Sequence, residues 1–291
     1  MCRVTIFTPV YNRVGLIGRV YESLLRQSCA DFEWVVVDDG STDGSWDVIK
    51  GYEQEGRLNM RCVRQQNGGK HRAINHGAKL AQGELFYIVD SDDWLPADSV
   101  ESVLKIWEGV KEDSSFGGIC GLDLYADGSV AGSGLPAEVI DTSAIGIRYE
   151  YGVLGDLKEV FRTSVLRTIS FPEIDGERFC PEALVWNRIA KAGYKMRYVN
   201  KSIYFCEYQP GGLTDRITRI RMESPVASMM TYAELFEMPV PMKIRVRAAI
   251  NYWRFAFCAK QRSVKISSWG NLFWLAGLLM HLRDKKNHGG R

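Results

Sequence analysis

Between Val4 and Asp90 the chain alternates short apolar runs with stretches of helical periodicity. VTIFTPV (4–10), EWVVVDD (33–39), MRCVRQ (60–65) and LFYIVD (85–90) read as strands, and the intervals near Val14 to Gln27, Trp46 to Glu55 and Lys70 to Ala81 read as helices. WVVVDD and LFYIVD carry no polar alternation, which suits strands covered on both faces of a parallel α/β sheet. Such sheets bind ligands beyond the carboxyl ends of their strands. Polar groups gather where these runs end: Thr8, Tyr11 and Asn12 after the first, Asp38 and Asp39 after the second, Asp90, Asp92 and Asp93 after the fourth. They are expected to converge on one crevice.

Further along, GGICGLDLYADG (117–128) reads as a strand and turn, DLKEVFRTSVLRTI (156–169) as a strand or helix edge, and PEALVWNRIAKAG (181–193) as an amphipathic helix stopped by Gly193. A glycine-rich turn, QPGGLT (209–214), closes this body, and from Arg216 the pattern becomes helical. In KIRVRAAINYWRFAFCAKQR (243–262), Val246, Ala249, Ile250, Trp253 and Phe257 share one helix face, with Lys243, Arg247, Asn251 and Arg254 on another. The apolar run within SWGNLFWLAGLLMHL (268–282) is shorter than the roughly 20 residues a spanning helix requires. The expected organisation is an α/β domain over 1–214 followed by a basic, amphipathic helical region over 215–291.

Charge sharpens that division. Residues 1 to 215 carry 23 Lys+Arg against 31 Asp+Glu, and residues 216 to 291 carry 14 against 4, so the two parts are at −8 and +10. An acidic body is a poor binder of nucleic acid, whose affinity rests on neutralised phosphates. The basic tail is the part suited to an anionic surface. The seven cysteines are odd in number and in no C-x-x-C spacing, which reads as reduced thiols. With a strand-like run at once and no signal-peptide pattern, the expected location is cytoplasmic.

The chemistry is expected in DSDDW (90–94). A nucleoside diphosphate brings negative charge, and a hard divalent cation held by carboxylates neutralises it. Asp92 and Asp93 are the candidate ligands, although acids after a strand also serve to cap a helix, here one beginning near Leu95 with Pro96 in its first turn. In VVDDGSTDGS (36–45), Asp43 reads as a cap and Asp39 as an acceptor for a base or ribose group. In QQNGGKHRAINHGAKLAQGE (65–84), Lys70, His71 and Arg72 crowd the first turn of a helix, where the dipole disfavours cations unless a diphosphate recruits them. Trp94, beside the acids, is a candidate for stacking on a sugar.

TPVYNR (8–13), VVDDGSTDGS, the Asn75/Gly77/Ala81/Gly83 spacing and DSDD, in that order, resemble the family 2 glycosyltransferases of GT-A fold over roughly Val4 to Thr214. That resemblance implies a mixed sheet flanked by helices, a nucleotide-sugar donor with UDP favoured among the nucleotides, a divalent Mn or Mg, and inversion at the anomeric carbon. It places Thr8, Asp39 and Arg72 on the nucleotide, with Pro9, Tyr11, Asn12, Lys70, Asp90 and Trp94 around the substrate, Asp92 on its ribose or the metal, and Asp93 on the metal. Family members carry a carboxylate six residues before an Arg in a helix of the type E-D-x-x-L-W-x-R, and PEALVWNR puts Glu182 there relative to Arg188. Glu182 is therefore the candidate general base, taking the acceptor hydroxyl's proton. Pro181 stands where the family has its first acid and Glu replaces Asp at the second, which keeps Glu177 and Asp175 as competitors.

The family and the tail together imply a glycan or lipid-linked glycan acceptor in bacterial surface-polysaccharide synthesis. The tail is expected either to dock peripherally on the inner face of the plasma membrane, inserting Trp253, Trp269, Phe273 and Trp274, or to pack on the body. The rival from another class is a non-catalytic scaffold that binds nucleotide-sugar or membrane in a polysaccharide-assembly complex. No G-x-G-x-x-G follows the first strand, and no P-loop, G-x-S-x-G elbow or His/Cys zinc spacing occurs, which sets aside dehydrogenase, NTPase, serine-hydrolase and zinc readings.

Overall fold

A computed structural model describes residues 2–208, 216–260 and 263–288, with the side chain of His288 excepted. The expected helix and strand order holds through the first half: β1 (Val4–Val10), α1 (Ile17–Leu25), β2 (Phe32–Asp38), α2 (Ser45–Glu55), β3 (Met60–Arg64), α3 (Lys70–Leu80), β4 (Leu85–Ile88) and α4 (Ser99–Glu108). β5 (Phe116–Tyr125), β6 (Val139–Thr142), α5 (Ala144–Tyr149), β7 (Leu157–Arg162) and α6 (Thr163–Thr168) follow. The 156–169 stretch thus resolves into a strand running directly into a short helix. α7 (Glu182–Lys191), β8 (Lys195–Cys206), α8 (Ile217–Glu223), α9 (Pro225–Glu237), α10 (Met242–Ala256), a 3-10 turn (Ser268–Phe273) and α11 (Trp274–His288) complete the order.

The strands form one eight-stranded sheet, ordered β3-β2-β1-β4-β7-β5-β8-β6. β1 to β4 are mutually parallel where they pair, with Thr8 opposite Val36 and Phe7 opposite Ile88. β7 enters antiparallel between β4 and β5, which makes the sheet mixed. Every residue of β1, β2 and β4 is buried, as their unbroken apolar runs predict, whereas edge strand β3 is half exposed.

Two glycines of the α3 region explain why that segment is spaced as it is. A Cβ on Gly77 would lie 2.2 Å from the ring of fully buried Phe7, and one on Gly83 would lie 2.4 Å from the backbone nitrogen of Thr5. Helix α3 therefore lies directly against β1, and the loop into β4 crosses its backbone. That contact fixes where the start of α3 stands relative to the strand ends.

The chain divides into two compact units: Met1–Ser170 with Ala192–Glu207, and Phe171–Lys191 with Tyr208–Arg291. The sheet belongs to the first. In the second, α7 groups with the C-terminal helices, a grouping that the linear pattern does not suggest. The expected boundary at 214/215 and the QPGGLT turn lie outside the described residues, apart from their flanks.

The second unit has its own core of Met229, Ala233, Phe236, Ala248, Ala249, Tyr252, Ala256 and Ile266. In α10 the buried residues are Ala248, Ala249, Tyr252, Phe255 and Ala256, so the inward face is turned from the expected Val246/Ala249/Ile250/Trp253/Phe257 stripe. The cause is that α10 is packed by both α9 and α11, and a helix with two neighbours buries more than one stripe. No helix among the described residues is long and apolar enough to cross a membrane.

Candidate functional site

Parallel pairing of β1, β2, β3 and β4 brings their carboxyl ends to one edge of the sheet, where four loops meet. Loops 11–14 and 41–45 are sewn together. Asn12 N donates to Ser41 Oγ (2.9 Å), Asn12 Oδ1 accepts from Thr42 N (2.8 Å), Arg13 N donates to Ser45 Oγ (2.8 Å) and Val14 N to Asp43 Oδ2 (3.0 Å). Asn12 holds φ at 54°, a left-handed conformation that Asn tolerates better than most residues. Asp43 also accepts from Ser45 N (3.0 Å) while fastening Val14, but the N-cap of α2 is Gly44, so the expected cap lies one residue outside that position. Burial opposes its ionisation, but donors from Ser45 and Val14 outweigh it and lower its pKa.

Asp39 organises the next loop. Its Oδ1 accepts from Gln65 Nε2 (2.8 Å) and Gly68 N (2.9 Å), and its Oδ2 from Asn67 Nδ2 (3.1 Å) and Gly69 N (2.7 Å). Those four donors match the capacity of a carboxylate, so Asp39 meets a nucleotide only by exchanging one of them. Thr8 is fully buried and its hydroxyl accepts the indole N–H of Trp34 at 3.0 Å. Its side chain is thus committed to the core, and Pro9 is buried beside it opposite Val37. Tyr11, by contrast, is 46% exposed and offers a ring at the end of β1.

The acidic turn lies against these loops. Lys70 Nζ reaches Asp90 Oδ1 at 2.6 Å, and Arg13 Nε stands 3.8 Å from Asp92 Oδ2. The two cations thus approach different carboxylates of the turn. Arg72, one residue past His71, lays its side chain across Gly68, where a Cβ would meet its Cδ at 2.6 Å. Helix α4 starts only at Ser99, so Asp92 and Asp93 do not cap it.

Asp93 is buried, with Oδ2 accepting from Tyr204 Oη (2.7 Å) and Oδ1 from Glu207 N (3.1 Å). Tyr204 Oη in turn accepts from Asp90 N (2.9 Å). Trp94 stacks on Phe205 with ring centroids 5.5 Å apart, and the guanidinium of Arg19 lies over its ring. The aromatic beside the acids therefore already has protein partners.

Electrostatically the turn holds more negative charge than it can easily carry. Burial and then the charge of Asp90 raise the pKa of Asp92, and the same two causes, in that order, raise Asp93. Asp90 itself is lowered to about 2: burial opposes its ionisation, but Lys70, Lys158 and Arg13 prevail. No group of three His, Cys, Asp or Glu side chains among the described residues is arranged as a ready cation site. Two crowded carboxylates nevertheless suit a hard divalent ion that completes its shell with waters and substrate phosphates. Asp92, whose carboxylate is partly exposed, fits that role more directly than Asp93, whose oxygens already hold Tyr204 and Glu207.

Three contributors come from strands beyond the first half-sheet. Lys158 on β7 lies 3.6 Å from the Tyr204 ring centroid, and Asp123 on β5 stands in register with Tyr204 on β8. Asp123 is buried, and its Oδ1 meets no hydrogen-bond donor among the described residues. Burial first, then Asp156, Asp93 and Asp90 against the pull of Lys158, raise its pKa to about 7. Asp and Lys in LDLYADG and LKEVF carry no motif, and only the register of distant strands reveals them.

In the second unit Glu182 opens the first turn of α7, where a carboxylate is also favoured by the helix dipole. Arg188 on the same helix forms a bidentate pair with Glu234, with Nε to Oε2 at 2.9 Å and Nη2 to Oε1 at 2.6 Å. Of the competitors, Glu177 is buried and accepts from Val226 N (2.6 Å) and Ala227 N (2.9 Å), fastening the start of α9. Asp175 is exposed.

A half-sheet of parallel strands, extended by an antiparallel strand and collecting an Asp-Ser-Asp-Asp turn with basic residues at its carboxyl edge, is the architecture of a GT-A-type α/β domain. Residues 5–120 match the model of glycosyl transferase family 2, and the sheet with its flanking helices is that of a GT-A fold. Glycosyltransferase GlyA of Streptococcus pneumoniae serotype 4 is 25% identical over 239 residues, covering 78% of this chain and 34% of its own length. The chain thus spans about a third of that relative. S. aureus TarS 1-349 in complex with UDP-GlcNAc superposes with a TM-score of 0.61 over 95% of this chain and 79% of its own, at 18% identity. The mannosyltransferase PcManGT from Pyrobaculum calidifontis, in complex with GDP-Man and Mn2+, has a TM-score of 0.59 over 97% of this chain and 88% of its own, also at 18% identity. At such identity these likenesses are likenesses of fold.

Proposed function

We propose that the chain is an inverting, metal-dependent glycosyltransferase that moves a sugar from a nucleoside diphosphate sugar, a UDP-sugar foremost, to an acceptor hydroxyl. The observation that carries this reading is the convergence of Asp90, Asp92 and Asp93 with Lys70 and Arg13 at the carboxyl ends of parallel strands. The complexes of TarS with UDP-GlcNAc and of PcManGT with GDP-Man and Mn2+ support a nucleotide-sugar donor and a divalent ion. We further assign the acceptor to a glycan or lipid-linked glycan of bacterial surface-polysaccharide synthesis, with the enzyme at the cytoplasmic face of the membrane in peripheral contact with it.

In this mechanism Tyr11 and the 65–69 loop hold the nucleoside, while Lys70, Arg72 and Arg13 face the diphosphate. Asp92, with a second lone pair from Asp93, would hold Mn or Mg, which supplies charge neutralisation to the departing diphosphate. Glu182 takes the proton of the acceptor hydroxyl as its oxygen bonds to the anomeric carbon, and the bond to the diphosphate breaks with its electron pair on the leaving oxygen. One displacement inverts the anomeric centre.

The test is nucleotide release by the purified protein from a panel of nucleotide-sugars, with and without Mn²⁺, for wild type, Asp92→Asn and Glu182→Gln. The expected result is metal-dependent release from one donor, lost in Asp92→Asn, and transfer lost in Glu182→Gln with donor binding retained. Binding of a donor with no turnover in the presence of an acceptor extract would overturn the enzyme and favour the non-catalytic scaffold.

A further inference from the structure

Helix α11 is amphipathic in the inverted sense. Its inward side is small and polar: a Cβ on Gly277 would lie 2.3 Å from the Cβ of Trp253 and 2.9 Å from the Ile250 carbonyl, so α11 crosses α10 in close contact there. One turn on, His281 Nδ1 faces Cys258 Sγ at 3.5 Å, and after it the buried Asp284 accepts from Arg254 Nη2 at 2.8 Å. Gly277, His281 and Asp284 follow the four-three spacing of one helix face.

The leucines point the other way. Leu275, Leu279 and Leu282, with Leu272 in the preceding turn, are 53, 62, 53 and 77% exposed, and Lys286 continues their stripe. Trp274, 48% exposed, flanks them on one side. Arg283 and Lys285, both exposed, stand on either side of the stripe. The one acid of this helix is turned inward against Arg254, so among its described residues the outward face carries leucines and cations and no acid. A helix that buries its polar groups and exposes its leucines presents a surface that an apolar environment would cover.

We infer that the Leu272/Leu275/Leu279/Leu282 face of α11 docks on an anionic lipid bilayer, with the leucines among the acyl chains and Arg283, Lys285 and Lys286 at the headgroups. This deepens the peripheral contact of the preceding reading and names its surface, while resting on none of the catalytic assignments. Charge decides the occupant. Two copies meeting through this face would bring like-charged rims together, whereas an anionic leaflet complements each cation. Leucines inserted in the plane of the interface with basic side chains reaching up to the headgroups are the arrangement of interfacial helices.

The surface differs from the aromatic set that the periodicity proposes. Trp253 donates its indole N–H to Gly270 O at 3.1 Å, and Trp269 packs on Phe236 with centroids 4.2 Å apart. With Phe273 they line the second unit's own core, and of the four only Trp274 is exposed.

The full chain would be sedimented with vesicles of phosphatidylcholine containing phosphatidylglycerol, and with vesicles of phosphatidylcholine alone, at low and high salt. Leu275→Glu/Leu279→Glu and Lys285→Glu/Lys286→Glu would be compared with wild type, using thermal unfolding and donor hydrolysis in solution to show that the fold persists. The expected result is salt-sensitive binding to the anionic vesicles, weakened about tenfold or more by either pair, the lysine pair through lost attraction to the headgroups and the leucine pair through lost apolar insertion. Equal binding to both vesicle types, or anionic binding unchanged by the leucine pair, overturns the inference. Leucine-dependent dimerisation in sedimentation velocity without vesicle binding also overturns it and gives the face to a second copy. Donor hydrolysis is read separately, so failure of docking and failure of the enzymatic reading are distinguishable.

Discussion

Tyr204 donates its phenolic hydrogen to Asp93 at 2.7 Å and accepts the backbone N–H of Asp90 at 2.9 Å, so one buried hydroxyl on β8 pins both ends of the acidic turn. Burial, followed by the charges of Asp90 and Asp93, keeps that hydroxyl protonated by holding its pKa well above the ordinary phenol value. Tyr204→Phe leaves a buried carboxylate oxygen and a backbone donor without this partner. The expected cost is about 1–3 kcal/mol of stability, the usual penalty for an unsatisfied buried group. Thermal unfolding would read that loss, and a Mn²⁺ titration of donor hydrolysis would show a weaker apparent affinity as the turn loosens.

The acidic turn also predicts how metal binding follows pH. Asp92 and Asp93 are raised by burial and then by the charge of Asp90, with Asp93 at about 6, so protons compete with a cation for both. Ligands must be ionised to bind, and the stabilisation of the protein by Mn²⁺ with UDP should be full above pH 7 and decline as pH falls through about 6. Removing the neighbouring charge in Asp90→Asn should move that midpoint downward. Unfolding temperature against pH, with and without Mn²⁺ and UDP, measures it, and a Mn²⁺ effect independent of pH would contradict the assignment.

What the pattern of the chain made legible was the backbone frame: the unbroken apolar runs became β1, β2 and β4, and the carboxyl-end rule placed Asp39, Asp90, Asp92 and Asp93 along one edge. Which way a side chain is committed was less legible. Thr8 turned to Trp34, and Asp39 was taken up by the 65–69 loop, because partners 26 to 30 residues away decide these directions. Glu177, a competitor for the base, is held by the backbone of residues 49 and 50 positions ahead, which its local sequence does not announce. Tyr204, Lys158 and Asp123 reach the acidic turn only because β7 inserts antiparallel between β4 and β5, and no local periodicity encodes that insertion. In α11, the four-three stripe of leucines was legible as amphipathic, but its outward orientation followed from Gly277 and Asp284 meeting α10.

The closeness of α3 to β1 gives a prediction in which two effects oppose each other. Gly77→Ala improves intrinsic helix propensity by roughly 1 kcal/mol. The added methyl, however, would sit 2.2 Å from Phe7, which is fully buried and stacked on Phe86 at 5.1 Å. Forcing that ring aside costs about 1–3 kcal/mol or more, so the clash prevails and the variant should unfold at a lower temperature. Because α3 carries Lys70, donor hydrolysis should weaken as well. A companion substitution at Gly51 in α2, where a Cβ would meet nothing within 4 Å, should be neutral or stabilising and separates packing from propensity.

Asp123 predicts a pH dependence of stability with a definite sign. Its pKa rises from 3.8 to about 7 on folding, first through burial and then through Asp156, Asp93 and Asp90, despite Lys158. A carboxyl raised in the folded state binds its proton more tightly there than in the unfolded chain. Its relative contribution is therefore fully present below the unfolded pKa and is lost as pH rises through the folded one. At about 1.4 kcal/mol per pKa unit, the shift amounts to ~4 kcal/mol across the window from pH 4 to 7. Asp123→Asn keeps the shape and removes the titration, so its stability relative to wild type should grow from pH 5 to pH 8 and level off above it. Denaturant unfolding at several pH values measures the difference. A difference that stays constant across that range would mean that Asp123 is ionised in the folded protein throughout, with Lys158 as its effective counter-charge.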